Sequence, residues 1–348
     1  MIDFRYHLVS LIAVFLALAV GIVLGAGPLR DTIGETLTGQ VQDLREDRDR
    51  LRVDLETAQT DVNERNVYLE ESAPVLLADA LTDQRVAVVT VPGTQDDDVE
   101  AVRERLTQAG AQVVSQVAVT DAWTDPDTQS FRQTFAGQLA GYLDPAPADD
   151  ASTETVMGLA LGTALTGSDG NAFSEDATTL MDLLTSADAP LVAVQGDLTD
   201  PADATVLVGP RAAEPPAADA DPEAAEVAAQ VLAAHVDLAE GLAGSGRGSV
   251  TVGAAASDLD LVAAVRGDDA AAGTVTTVDS VGEVTASISA PLALAVSIAG
   301  STDAYGYQNG AEQPVPPRVE LPAEEPSPAP SAPDGQPTEQ PTGQPTDA

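Results

Sequence analysis

Cation binding is the first chemistry that the residue types could support. Asp96, Asp97 and Asp98 stand in a row and offer the hard oxygen ligands that a calcium- or magnesium-sized ion prefers. The run also opens an amphipathic stretch, where acidic residues complement a helix dipole, and that reading takes precedence. Soft-metal ligands are sparse. The chain has Met1, Met157, Met181, His7 and His235, and no cysteine. A dedicated Cu(I) or Zn site within one chain is therefore not expected, and neither a disulfide nor a redox thiol can form.

Nucleotide and acyl chemistry find no support. Lysine is absent, so no P-loop exists. Val91-Pro92-Gly93-Thr94 lacks the spaced glycines that a pyrophosphate needs, and Gly244 to Gly248 precedes a strand, so it reads as a loop. There is no G-x-S-x-G elbow. His235 lies in an Ala-rich stretch and reads as a helix-surface residue, not a triad base. The expectation is a non-enzymatic protein with no catalytic residues, no resident metal and no cofactor.

The strongest physical signal lies elsewhere. Leu8 to Gly27 holds 20 residues and no charge. At about 1.5 Å per residue a helix there spans the roughly 30 Å of a bilayer's hydrocarbon core. A cleaved signal peptide would have a shorter apolar core, and Pro28 is a poor residue just after a cut. The expectation is an uncleaved anchor in membrane lipid, with residues 1–7 cytoplasmic and most of the chain outside, since Arg5 flanks the short side. Ala13, Ala17, Gly21 and Gly25 recur every fourth residue on one helix face. Small side chains there let two membrane helices approach closely, although Ala and Gly are common throughout this chain.

Residues 28–77 are highly charged, with a seam of Leu37, Val41, Leu44, Arg48, Leu51, Leu55, Ala58, Val62, Arg65 and Leu69 stepping by four and three. That is a coiled-coil pattern, interrupted by Arg48 and Arg65, and polar residues at such positions can fix register or oligomer state. Pro74 is expected to end the helix. Stripe and seam together point to a parallel homodimer or higher oligomer, with a stalk of roughly 50 Å over residues 37–71. The alternative is one long helix folded back on its own domain.

Residues 84–310 read as an extracytoplasmic α/β head. Val86–Val91 is a short apolar run fit for a buried parallel strand, Asp96–Ala109 an amphipathic helix and Ala111–Val119 a second strand. Helices are expected over 131–143, 173–186, 222–242, 258–266 and 284–299, the last kinked or broken at Pro291. Strands are expected over 191–194, 205–208, 249–253 and 274–281. Val156–Leu165 is ambiguous. Such alternation predicts a Rossmann-like, mostly parallel sheet covered on both faces. Too few alternating ten-residue strands are present for a transmembrane β-barrel. Residues 311–348 are proline-rich, with 11 prolines in the last 35 positions, and read as a disordered tail.

Net charge is −41 over 348 residues, with 15 arginines. This excludes a sequence-independent nucleic-acid binder and disfavours docking on anionic lipid.

The stretch Arg5-Tyr6-His7-Leu8-Val9-Ser10 through Ala13 and Gly21 to Gly25, followed by the charged heptad helix and Arg85-Val86-Ala87-Val88-Val89, resembles the MctB family of actinobacterial copper transport proteins. The resemblance implies a cell-envelope protein of copper efflux and homeostasis, described as an outer-membrane channel, with copper ions as transient partners. A single apolar helix is equally compatible with the plasma membrane. A structural or adaptor protein, dimerising through its stalk and docking a partner with its head, is the alternative.

Overall fold

The computed structural model describes residues 4–26, 28–186, 190–212 and 221–321. The chain divides into two compact units, Met1–Glu71 and Ser72–Ala348.

The first unit is helical. Helix α1 (Phe4–Ala26) carries the apolar run, and α2 (Pro28–Leu77) carries the heptads. Helix α2 does not stop before Pro74 as the sequence suggested. Proline removes one backbone donor and disfavours helix at its neighbour. Here Ala73 and Leu77 are fully buried in the second unit, and that burial offsets the loss.

The second unit is built on a seven-stranded sheet. Its strands are β1 (Arg85–Thr90), β2 (Gln112–Val119), β5 (Val192–Val194), β6 (Ala204–Val208), β7 (Ser249–Val252), β8 (Thr276–Val278) and β9 (Ala304–Tyr305). The order is β5-β2-β1-β6-β7-β8-β9, and every pairing is parallel except β2 with β5. Strand β1 is flanked by β2 and β6, so the strand order reverses there. Strand β9 was missed by the sequence reading, as was the two-residue hairpin of β3 (Ser168–Asp169) and β4 (Ala172–Phe173). Both are too short to show periodicity.

The connecting helices are α3 (Asp96–Gln108), α4 (Gln129–Leu139), α5 (Thr153–Thr166), α6 (Glu175–Ser186), α7 (Pro222–Ala243), α8 (Leu261–Gly267), α9 (Asp269–Ala272) and α10 (Val284–Ile298). The ambiguous run 156–165 is therefore helix. Along β1, side chains alternate between faces. Ala87 and Val89 join one core with residues of α4 to α8, including Phe135, Leu161, Leu184, Leu238 and Val265. Val86 and Val88 are fully buried too but lie outside that core, as alternation requires. Helix α10 runs unbroken through Pro291. Twelve of its fifteen residues are buried, so packing overrides one absent hydrogen bond.

Helices α5 and α7 meet backbone to backbone. A Cβ on Gly241 would stand 2.6 Å from Leu159 N and from Thr155 O, and one on Gly158 would stand 3.0 Å from Leu238 O. Paired levels rise together along both chains, Ser152 with Asp237 and Thr155 with Glu240, so the two helices run parallel.

The end of the described chain returns to the end of α2. Arg318 donates to the carbonyls of Leu76 and Ala78 at the C-terminal end of α2, where intrahelical donors run out. Gln313 bridges to Tyr305. These residues of the expected tail are thus hydrogen-bonded to the head, while the stretch from 322 onward lies outside the described residues.

Candidate functional site

The residues singled out from the sequence fall on α1 and α2. Every described residue of α1 to Gly25 is exposed, and a Cβ on Gly21 or Gly25 would meet nothing within 4 Å. Ala13, Ala17, Gly21 and Gly25 share one face by their spacing. A stretch of 22 residues, Phe4–Gly25, is long and apolar enough to cross a membrane.

The seam on α2 is equally bare. Val41 is 43% exposed, Leu44 67%, Leu51 64%, Leu55 58% and Val62 47%. Arg48, Ala58 and Arg65 are exposed, and Leu69 is half-buried. The side chain of Leu37 lies outside the described residues. Flanking arginines pair with neighbours on the same helix: Arg48 with Asp49, Arg50 with Asp47 at 2.7 Å and Arg52 with Glu56 at 3.2 Å. Among the described residues these large apolar side chains stand exposed in one row, and exposed apolar patches are where interaction surfaces form.

The head presents polar constellations that the sequence reading did not foresee. Asp98, read as a dipole complement, does sit in the first turn of α3, but it is buried and takes a bidentate pair from Arg211 at 2.8 and 2.7 Å. This pair stands beside the ends of β1 and β6, where the strand order reverses, the position at which open α/β sheets bind ligands. Here the acid is already engaged by an arginine.

A second constellation joins β8 to the last strand. The carboxylate of Asp279 is fully buried and accepts from Arg266 Nη1 at 2.9 Å, Ser280 Oγ at 2.7 Å, and Tyr307 N and Gln308 N at 3.0 Å each. Burial opposes its charge, but those hydrogen bonds outweigh burial and hold its pKa below the ordinary value. Arg266 also donates to Thr277 Oγ1, Tyr305 O and Asn309 O. No periodic signal links residue 266 to 279 and 307, so local reading could not find the cluster.

His235 is a correction. It is 7% exposed, not on the helix surface. Residues 235, 238, 239 and 242 form one i, i+3, i+4, i+7 face of α7, and Leu238, Ala239 and Leu242 are buried with it. That spacing could have revealed it. Among the described residues its Nε2 has no hydrogen-bond partner, and burial pushes its pKa down to about 4. Met157 and Met181 are likewise buried, in the apolar core. Among the described residues, no group of three or more His, Asp or Glu side chains could hold a metal ion.

His235 makes stability depend on pH. Between about 6.5 and about 4 the unfolded chain binds a proton there that the folded chain refuses, so stability falls as pH falls through that window. Nearby Asp237 and Glu240 are pushed up, chiefly by burial, and titrate in the opposite sense. The net loss is expected to stay below about 3 kcal/mol. Urea unfolding at pH 7 and pH 4.5 checks it: His235→Leu should lose this acid-side destabilisation, and an unchanged pH profile would contradict the assignment.

Comparison with known proteins places these features in a lineage. A family model described as "Copper transport outer membrane protein, MctB" matches residues 1–316. "Copper transporter MctB" of Mycobacterium tuberculosis, and that of Mycobacterium bovis, is 34% identical over 128 residues, covering 37% of this chain and 41% of the relative. The Mycobacterium leprae protein of the same name is 32% identical over 140 residues, covering 40% of this chain and 44% of the relative. The aligned stretch thus spans about two fifths of the length of these curated relatives.

Proposed function

The chain belongs to the MctB family, and from that premise we propose that it is a non-enzymatic, membrane-anchored protein of the cell envelope that contributes to copper transport and homeostasis. The observation that carries the copper role is the family match over residues 1–316. Anchoring is supported by the exposed apolar helix, which is long enough to span the hydrocarbon core. The positive-inside rule then puts Arg5 in the cytoplasm and the head on the far side. The outer membrane is the location that the family description names.

How the chain handles copper follows from where its donors are. Met157, Met181 and His235 of the head are all buried, whereas His7 is exposed on α1. A path for ions is therefore better built between chains than inside one head. Self-association through the face of Ala13, Ala17, Gly21 and Gly25 and through the α2 seam would bring several anchors together, which makes the protein a pore component.

A second reading is favoured by a specific observation. The head is a well-packed α/β unit, and among the described residues each chain supplies a single helix long and apolar enough to span a membrane. This suits a tethered adaptor, in which the stalk dimerises and the head docks a partner.

Copper tolerance of a strain lacking the gene tests the first claim. Deletion should lower the tolerated copper concentration several-fold and raise cell copper, and the intact chain should restore both. Unchanged tolerance and copper content would refute the copper role. Planar-bilayer recordings on the purified full chain separate the two modes. Discrete conductance that requires the head supports the pore component. Silence from folded oligomers that still rescue tolerance supports the adaptor.

A further inference from the structure

We infer that α2 pairs with a second copy of this chain in parallel and in register, and that Asp47 and Arg52 select that arrangement. The inference rests on the proposed self-association through the seam, expected to be parallel, and adds its register and the residues that select it. With Leu44 and Leu51 at d positions of the heptad, Val41, Arg48 and Leu55 occupy a positions. The flanking g positions are then Asp47, Asp54 and Asp61, and the flanking e positions are Arg45, Arg52 and Gln59. One flank is acidic and the other is basic or neutral.

Orientation decides what these flanks meet. In a parallel, in-register pair, each g residue faces the e residue five positions later on the other helix. Asp47 then faces the partner's Arg52, and the symmetry repeats the bridge on the opposite side. Arg48 at its a position packs beside the partner's Asp47, so the seam arginine has an acid next to it. In an antiparallel pair, g faces g and e faces e, which sets aspartate against aspartate and arginine against arginine. The single chain leaves these groups free to exchange partners. Asp47 and Arg50 are 53% and 66% exposed at their side chains, and Arg52 is 78% exposed. Pairs that open to water and lie three or four residues apart on one helix are weak, so little is lost on exchange. The apolar residues between the flanks, Leu44, Leu51 and Leu55, are each more than half exposed and supply the area that such a pairing would bury.

The absence of cysteine makes a direct test clean. Leu44→Cys, Leu51→Cys and Ala58→Cys are prepared separately in the full chain and oxidised mildly in detergent. A parallel, in-register pair brings like residues together at every d layer, so all three variants should give a disulfide-linked dimer. An antiparallel pair superposes like residues at one height at most. Asp47→Arg should weaken dimerisation about tenfold by light scattering, and adding Arg52→Asp should restore most of it. Dimers in which only one height or none cross-links would overturn the orientation and leave self-association standing. A folded chain that stays monomeric would overturn both.

Discussion

Asp279→Ala is expected to destabilise the head by about 3–5 kcal/mol, because breaking a buried pair leaves one charge uncompensated. Arg266 is 6% exposed at its side chain and would keep only Thr277 Oγ1 and two backbone carbonyls as acceptors. The amides of Tyr307 and Gln308 would lose their acceptor at the same time. Gly306 stands so close that a Cβ on it would lie 2.1 to 2.3 Å from the Asp279 carboxyl atoms, at a φ of +133° that only glycine adopts freely. The carboxylate and the 306–310 turn therefore fit as a unit. The same turn holds the loop after β7, through Gln308 Oε1 accepting from Ala255 N and Asn309 N donating to Ala255 O. Losing Asp279 should thus loosen β9 and that loop together. In a unit of this size the expected fall in melting temperature is roughly 10 °C. Asp279→Asn keeps acceptor capacity and should cost less. Thermal unfolding of the full chain, with hydrogen exchange at Tyr307 and Gln308, checks both. A variant that melts like the parent would show that the pair contributes little.

The pH windows of the two buried groups differ. The contribution of Asp279 is present above its ordinary pKa of 3.8 and is lost as pH falls through its lower folded value. That lies on the acid side of the His235 window, which begins at 6.5. Asp279→Ala should therefore flatten only the strongly acid limb of the stability profile.

What the sequence made legible follows from how locally each signal is written. The short runs 86–91, 205–208 and 249–253 each carry their own pattern and are strands within a residue of the expected bounds, and the apolar and heptad stretches are helical, although α1 starts four residues earlier, at Phe4, and α2 runs past Pro74. The mostly parallel α/β character followed from their alternation. The antiparallel sense of β5 did not, because Leu191–Val194 has the same apolar run as a parallel strand, and only the path of the chain decides its direction. Pro74 as a helix end, and a break at Pro291, fail for one shared reason. Local rules weigh a missing donor but not the burial of Ala73, Leu77 or the faces of α10. Asp98 was legible as an N-terminal acid, whereas its partner Arg211 lies 113 residues away. The polar clusters of the head are long-range in this sense, while the seam on α2 is entirely local. For that reason the proposed self-association surface was readable residue by residue and the clasp around Asp279 was not.

Gly241→Ala is expected to destabilise the head by about 3 kcal/mol, against the usual preference of a helix for alanine. In an exposed helix this substitution gains up to about 1 kcal/mol. At Gly241 the added Cβ would stand 2.6 Å from Leu159 N and Thr155 O and 2.7 Å from Gly158 C. All three are backbone atoms of α5, so no side chain can swing aside. The helices must separate, and α5 has little room to yield. Val156, Met157, Ala160, Leu161 and Ala164 on it are all buried in the main core. Separation would also stretch Ser152 Oγ from Asp237, 2.7 Å apart at the open end of the pair. Interiors at crystal-like density convert a shift of this kind into lost packing across several neighbours. Gly137→Ala is the matched control: Gly137 is exposed on α4, a Cβ there meets nothing within 4 Å, and about 0.5–1 kcal/mol of stabilisation is expected. Denaturant unfolding of the full chain reads both variants. If Gly241→Ala stabilised like the control, the close approach of α5 and α7 would not be a feature of the folded protein.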